Sequence, residues 1–386
     1  MGKIDELIKQ FCPDGVQKVP LGDVLDYEQP SKYIVKSTEY DNSYNIPVLT
    51  AGKGFLLGYT NEQAGVYAAS EENPTIIFDD FVTSFHWVDF PFKVKSSAMK
   101  MLTCKNKGNS FRFIYYAMCE IGFVAKEHSR HWISVYSKIE IPLPPLAVQK
   151  KIVEILDTFT GMIDNLQKEL EQRQKQFEYY QEKILKFEDG IETFSFGESF
   201  HLKARIGWQG LTKKEYRTEG AYKLVTGTDF TNNHRIDFEK CVYIDKDRYD
   251  QDENIQLKED DVLITKDGTL GKIAYIDKLK YPATLNGGVF VVRDKTGRIK
   301  QKFTQHYLSS SIFKKWIESN HTSGSIQHLT QKLLVKFRIP VPPLDKQQEI
   351  VDKLDTFEAL ISNIKQEIEL RQKQYEYYRE KLLTFE

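Results

Sequence analysis

Two stretches of the chain place apolar residues at alternating steps of four and three. The first runs Ile152, Leu156, Phe159, Ile163, Leu166, Leu170, Phe177, Tyr180, Ile184, Phe187, with one polar residue, Arg173, on the seam. The second runs Ile350, Leu354, Phe357, Ile361, Ile364, Ile368, Tyr375, Tyr378, Leu382, Phe385, with Arg371 at the same place. An a/d seam sustained over about five heptads predicts a long helix in a left-handed coiled coil. A helix of ~40 residues would be ~60 Å long.

The two stretches are copies. Residues 141–188 and 339–386 align without a gap at an offset of 198, and 28 of 48 positions are identical. Such a repeat sets the architecture. Pro142, Pro144 and Pro145 open the first copy, and Pro340, Pro342 and Pro343 the second. Proline removes a donor and biases its predecessor away from helix, so each cluster divides a head from a helix. The expected organisation is a head at 1–140, a spacer helix at 141–188, a second head at 189–338 and a second helix at 339–386. A head precedes each helix, so antiparallel pairing within one chain is expected, with the heads at opposite ends of the rod. Full overlap would set Arg173 opposite Ile364 and away from Arg371, avoiding stacked like charges. Each arginine either fixes the register or bends to a nearby glutamate.

The heads show a different period. Short β-branched and aromatic runs bounded by Gly, Pro and Asn read as strands. In the first head these are 46–50, 65–69, 74–78, 83–90, 92–95 and 133–142, with a helix at 111–122. In the second they are 222–227, 241–244, 261–266, 272–276, 288–293 and 336–342, with a helix at 303–319. The order of elements matches while the residues differ. The fold class is therefore α+β: two mixed α/β heads joined by two long helices in an antiparallel coiled coil with pseudo-two-fold symmetry.

No apolar run reaches the ~18–20 residues of a bilayer span, and 1–11 is charged and amphipathic without a signal core, so a cytosolic protein is expected. Cys12, Cys104, Cys119 and Cys241 form no C-x-x-C pair and read as reduced thiols. A search for catalysis finds little. Lys266–Ile273 lacks the phosphate-loop spacing, and no G-x-G-x-x-G or H-E-x-x-H is present. Both Pro-Pro pairs are followed by Leu, not by the aromatic residue of amino-methyltransferase loops. His128, His131, His321 and His328 sit near loops with basic neighbours and suit a surface or DNA-facing role better than a metal.

The net charge is only -1, so nucleic-acid binding must rest on local patches. From Lys93 to Trp132 eight Lys/Arg face only Glu120 and Glu127, and from Arg298 to Arg338 eight face only Glu318. Lysine attracts phosphate, arginine grips guanine edges, and Gln or Asn reads adenine. The candidate DNA contacts are Lys53, Lys105, Lys107, Arg112 and Arg130 in the first head. In the second they are Lys266, Thr269, Lys272, Lys314, Lys315, Ser325, Gln327 and His328. The candidate coiled-coil and subunit-docking residues are Ile152, Leu156, Ile163, Leu166, Leu170 and Arg173, with Ile350, Leu354, Ile361, Ile364, Ile368 and Arg371.

The duplicated PLPPLAVQKKIVEILDTF (142–159) and PVPPLDKQQEIVDKLDTF (340–357), each followed by RQKQ-[FY]-EYY, resemble the specificity subunits of type I restriction-modification systems. CPDGVQKVPLGDV (12–24) and SGSIQHLT (323–330) are similar too, whereas KEHSRHWI (126–133) departs from the pattern. The resemblance covers the whole chain. It implies a non-catalytic subunit whose heads each read half of a split, asymmetric DNA target. The helices would set the spacing and dock two modification subunits, and through them restriction subunits. S-adenosylmethionine, ATP and Mg would sit on those partners, and none on this chain. Half-sites roughly one helical turn, ~34 Å, apart would suit two such heads. The rival readings are a coiled-coil scaffold with protein-binding heads and a stand-alone methyltransferase or nuclease.

Overall fold

In the computed structural model, residues 6, 8, 10–52, 54–187, 190–320 and 328–385 are described. The chain forms two compact units, Met1–Gln167 with Glu367–Glu386, and Lys168–Gln366. Each unit holds one head, the first half of the long helix that follows it and the second half of the other long helix. The helices are thus shared out between the units and do not form separate bodies of their own.

The first unit contains β1 (Lys18–Pro20), β2 (Leu25–Glu28), β3 (Ile46–Leu49), β4 (Leu56–Thr60), β5 (Thr75–Asp79), β6 (Phe85–Val88), β7 (Lys93–Val94) and β8 (Met99–Cys104). Helix α1 (Phe111–Glu120) and β9 (Glu140–Pro142) follow and lead into α2 (Leu146–Leu185). The sheets are β2-β8-β5-β6, β4-β3-β7 and the pair β1-β9. Only β3–β7 is parallel among these pairings.

The second unit contains β10 (Thr193–Ser195), β11 (Phe200–Lys203), β12 (Tyr222–Val225), β13 (Val242–Ile244), β14 (Val262–Thr265), β15 (Ile273–Tyr275), β16 (Ala283–Leu285) and β17 (Val289–Asp294). Helices α3 (Gln301–Leu308) and α4 (Ser311–Asn320), strand β18 (Arg338–Pro340) and helix α5 (Leu344–Leu383) complete it. Its sheets are β11-β17-β14-β15, β13-β12-β16 and β10-β18. Strand for strand this is the first head's order, and β12–β16 is again parallel. The two heads share a topology despite their unlike sequences.

The central strands explain why. They are apolar on both faces, as strands buried on two sides must be. Ile76 and Phe78 of β5 face a core made with α1 and the long helices, while Ile77 faces the three-stranded sheet. Val262 and Ile264 of β14 do the first, and Leu263 the second. The period of two therefore feeds two cores per head.

Several expected elements differ. Residues 65–69 form only the bridge Tyr67–Phe92. Of 133–142 only Glu140–Pro142 is strand, after a 3-10 turn at Tyr136–Lys138. The helix expected at 303–319 is two helices, with Ser309 and Ser310 between them; the Ser310 hydroxyl donates to the Tyr307 carbonyl, a local bond that competes with helix. Strand β8 escaped notice because Lys100 interrupts it, and that lysine is buried in an ion pair with Asp80 at 3.0 Å.

Helices α2 and α5 are each 40 residues long. Within each unit their halves run antiparallel: Phe159 stacks on Tyr378 at 5.2 Å in the first, and Tyr180 on Phe357 at 5.5 Å in the second. That register sets Arg173 level with Ile364 and Arg371 level with Leu166. Both arginines turn along their own helix, Arg173 to Glu169 at 3.3 Å and Arg371 to Glu367 at 2.8 Å. Of the two roles open from sequence, bending to a glutamate is the one observed. No described helix is long and apolar enough to cross a membrane.

Candidate nucleic-acid interface and head–helix joints

A buried glutamine at the start of each long helix holds the head helix above it. Gln149 accepts the N–H of Ser110, the residue capping α1, on Oε1 at 2.8 Å and donates Nε2–H to the Pro144 carbonyl at 2.7 Å. Gln347 accepts the N–H of Lys300, the residue capping α3, at 2.8 Å. It donates to the carbonyls of Pro342 at 2.7 Å and Arg298 at 2.8 Å. The repeat thus supplies one fully buried amide to two unlike heads.

Two turns further on, an aspartate does the same with charge. Asp157 receives Arg112 Nε at 2.9 Å and the Tyr116 hydroxyl at 2.5 Å. Burial, followed by this hydrogen bond, pushes the Tyr116 hydroxyl well above its ordinary pKa and keeps it a donor. Asp355 receives His306 Nε2 at 2.7 Å and Lys302 at 3.2 Å. Arg112 and Lys302 are the second residues of their helices, and Tyr116 and His306 the sixth. Equal positions in unlike heads therefore meet equal positions in the repeat.

Near their starts the seam residues belong to the heads. Ile152 and Leu156 sit in the first head's core, and Ile350 and Leu354 in the second's. Ile163, Ile364 and Ile368 are buried, and Leu166, Leu170 and Ile361 half-buried. Tyr179 and Tyr377, equivalent in the repeat, stay exposed at 60% and 57%.

The basic sections are less free than their sequence suggests. Lys93 and Lys100 are buried on Glu62 and Asp80. Lys105 donates to the Gly22 carbonyl, and Arg112 is held by Asp157 and lies over Trp87, Tyr115 and Tyr116. Lys315 pairs with Glu182 at 2.9 Å, and Arg338 bonds Thr193. Lys107, Arg130, Lys272 and Lys314 remain exposed. Lys53, His321, Ser325 and Gln327 lie outside the described residues.

Two loops meet in each head, and they are equivalent by topology. In the second head the β14–β15 turn holds Lys266, Thr269 and Lys272, and it meets the segment leading into β18. Leu329 N–H donates to the Lys266 carbonyl at 3.0 Å, and His328 Nδ1 lies 2.6 Å from Asp267. Gly271 has φ +72°, a left-handed backbone that favours glycine, and a Cβ there would press on the tip of the Ile317 side chain of α4 at 2.3 Å. In the first head the β5–β6 turn meets the segment leading into β9. His131 N–H donates to the Asp80 carbonyl at 2.8 Å, His128 stacks on Phe81 at 4.7 Å, and Arg130 lies over the same ring. By topology KEHSRHWI holds the place of the segment that leads into β18, of which 328–330 are described. Phe81 and the exposed Val82 were not legible as site residues, because apolar side chains between two strands read as core.

Residues 13–173 and 188–370 match the model of the type I restriction modification DNA specificity domain. The chain is 38% identical to the EcoR124I/EcoR124II specificity subunit of Escherichia coli, over 100% of this chain and 98% of that one. A putative type I specificity subunit of Haemophilus influenzae, S.HindORF215P, is 29% identical over 96% of each chain. The fold matches the S subunit of a type I restriction-modification system from M. genitalium, with a TM-score of 0.61 at 16% identity, over 95% of this chain and 96% of that one. The chain belongs to the family of type I restriction-modification specificity subunits. It is a DNA-recognition component of such a system, not a catalytic one, and it works in assembly with other subunits and DNA.

Proposed function

We propose that each head reads one half of a bipartite, asymmetric DNA target through its two meeting loops. In the first head these are 80–84 and 126–132, and in the second 266–272 and the segment to 329. The observation that carries this reading is one topology bearing unlike side chains at equivalent loops: Phe81, His128 and Arg130 against Lys266, Asp267 and His328. A common frame delivers the loops alike, and different side chains choose different bases. Exposed Lys107, Lys272 and Lys314 supply sequence-independent phosphate attraction.

The long helices set the spacing of the two halves and dock two modification subunits, which carry adenine methylation with S-adenosylmethionine. Restriction subunits using ATP and Mg join through them, in the cytoplasm. The apolar seam organises this rod, and the exposed Tyr179 and Tyr377 lie on its docking faces. Exchange of the β14–β15 turn and its partner segment for those of another family member, followed by methylome sequencing with cognate modification subunits, tests the reading. One half of the methylated motif should change and the other stay. A motif unchanged after exchange contradicts it.

A further inference from the structure

The two copies of the repeat differ beside the joint aspartates. Where the first joint has Thr160 beside Asp157, the second has Glu358 beside Asp355. His306, fully buried, faces both carboxylates. Its Nε2 lies 2.7 Å from Asp355 Oδ1, and a neutral ring that keeps its proton on that nitrogen has a lone pair on Nδ1. Nδ1 points at Glu358 Oε1 across 3.6 Å, too far for a hydrogen bond. Neither atom has a hydrogen-bond partner among the described residues, and both are buried. Two buried acceptors facing each other repel unless a proton or a metal cation lies between them, and at 3.6 Å the gap is wider than a proton bridges well.

We propose that His306 and Glu358 bind a divalent transition-metal ion of the Zn2+ class, with Asp355 orienting the imidazole. Bond lengths of about 2.0–2.2 Å to nitrogen and oxygen put two ligands of a tetrahedral zinc about 3.3–3.5 Å apart, close to the gap found. A carboxylate on the far nitrogen of a ligating histidine is the usual way such a ring is aimed and its basicity raised. Lys302 does not take the place: its Nζ lies 3.2 Å from Asp355 and 3.8 Å from Glu358 Oε2, the other oxygen of that carboxylate. An open cleft of about 750 Å³, lined in part by His234, Lys302, Asp355 and Glu358, lies beside the pair, and two waters would complete a tetrahedral shell. Imidazole nitrogen favours zinc over Mg2+, which prefers six oxygens. The ion ties α3 of the second head to α5. The first joint offers Tyr116 and Thr160 at the corresponding places and has no such pair among its described residues, so of the two joints only the second takes an ion.

The test uses the full chain, stripped with EDTA and titrated with Zn2+ by calorimetry and by thermal unfolding. One ion should bind saturably and raise Tm. Glu358→Gln, which keeps the shape, should lose both effects while its metal-free Tm stays near the parent's. Binding that is absent in the parent, or unchanged in Glu358→Gln, overturns the proposal. Co2+ added to the unmodified chain gives a second reading independent of any variant. Ligand-field bands without thiolate charge transfer support the site, whereas a thiolate band assigns the ion to the cysteines and refutes it.

Discussion

Gln149 and Gln347 each anchor a head helix with one buried amide. Truncation leaves carbonyls and an N–H without partners in the interior, at about 1–3 kcal/mol for each unsatisfied group. Gln347→Ala, which leaves three such groups, should therefore lower the unfolding free energy by at least about 3 kcal/mol in a urea titration. A loss below the precision of that titration would mean that the joint does not depend on the amide. Asp355 adds a pH dependence. Burial opposes its ionisation, but the His306 hydrogen bond and the Lys302 charge together outweigh burial and hold its pKa below the ordinary carboxylate value. A carboxyl lowered on folding contributes stability that is fully present above its unfolded pKa, about 3.9, and is lost as pH falls through the folded value. Asp355→Asn should accordingly flatten the acid limb of the stability curve below about pH 4. An unchanged limb would assign acid unfolding to other groups. Neither joint was legible in sequence. Gln and Asp in a charged helix read as solvated residues until the head helix is seen to land on them.

The long helices were the most legible elements, because the 4,3 rhythm states both the helix and its buried face. The strands were legible where both faces are apolar, as in β5 and β14. They were lost where a buried charge breaks the pattern, as Lys100 does in β8. Charge itself misled: eight basic residues in one section implied a patch, but burial and pairing take up half of that section. A lysine on a sheet gives no sign in sequence of the carboxylate it meets from a distant strand. The seam arginines carry a prediction at this scale. Each pairs with a glutamate one turn away while about a third exposed, and such pairs contribute about 0.3–0.5 kcal/mol. Arg371→Leu, level with Leu166, should leave Tm unchanged or raise it, with the helical circular dichroism intact. A marked fall in Tm would show that the arginine fixes the register.

For the whole molecule, one repeat carries two heads of a common topology, so the frame and the reading surface vary independently. The frame is fixed by residues that are the same in both copies, among them Gln149 and Gln347, Asp157 and Asp355, and the Phe159–Tyr378 and Tyr180–Phe357 stacks. The surface proposed to read DNA is built from residues that differ. A heptad inserted in register into both α2 and α5 should lengthen the spacer of the methylated motif and leave both halves intact. Altered halves with an unaltered spacer would remove the helices from that role. The most direct measurement is the methylome of a host that carries the chain and its cognate modification subunits, with residues 1–140 replaced by another family member's first head. The account predicts a bipartite motif in which one half changes while the other half and the spacer remain. A motif that is unchanged, or altered in both halves, would contradict it.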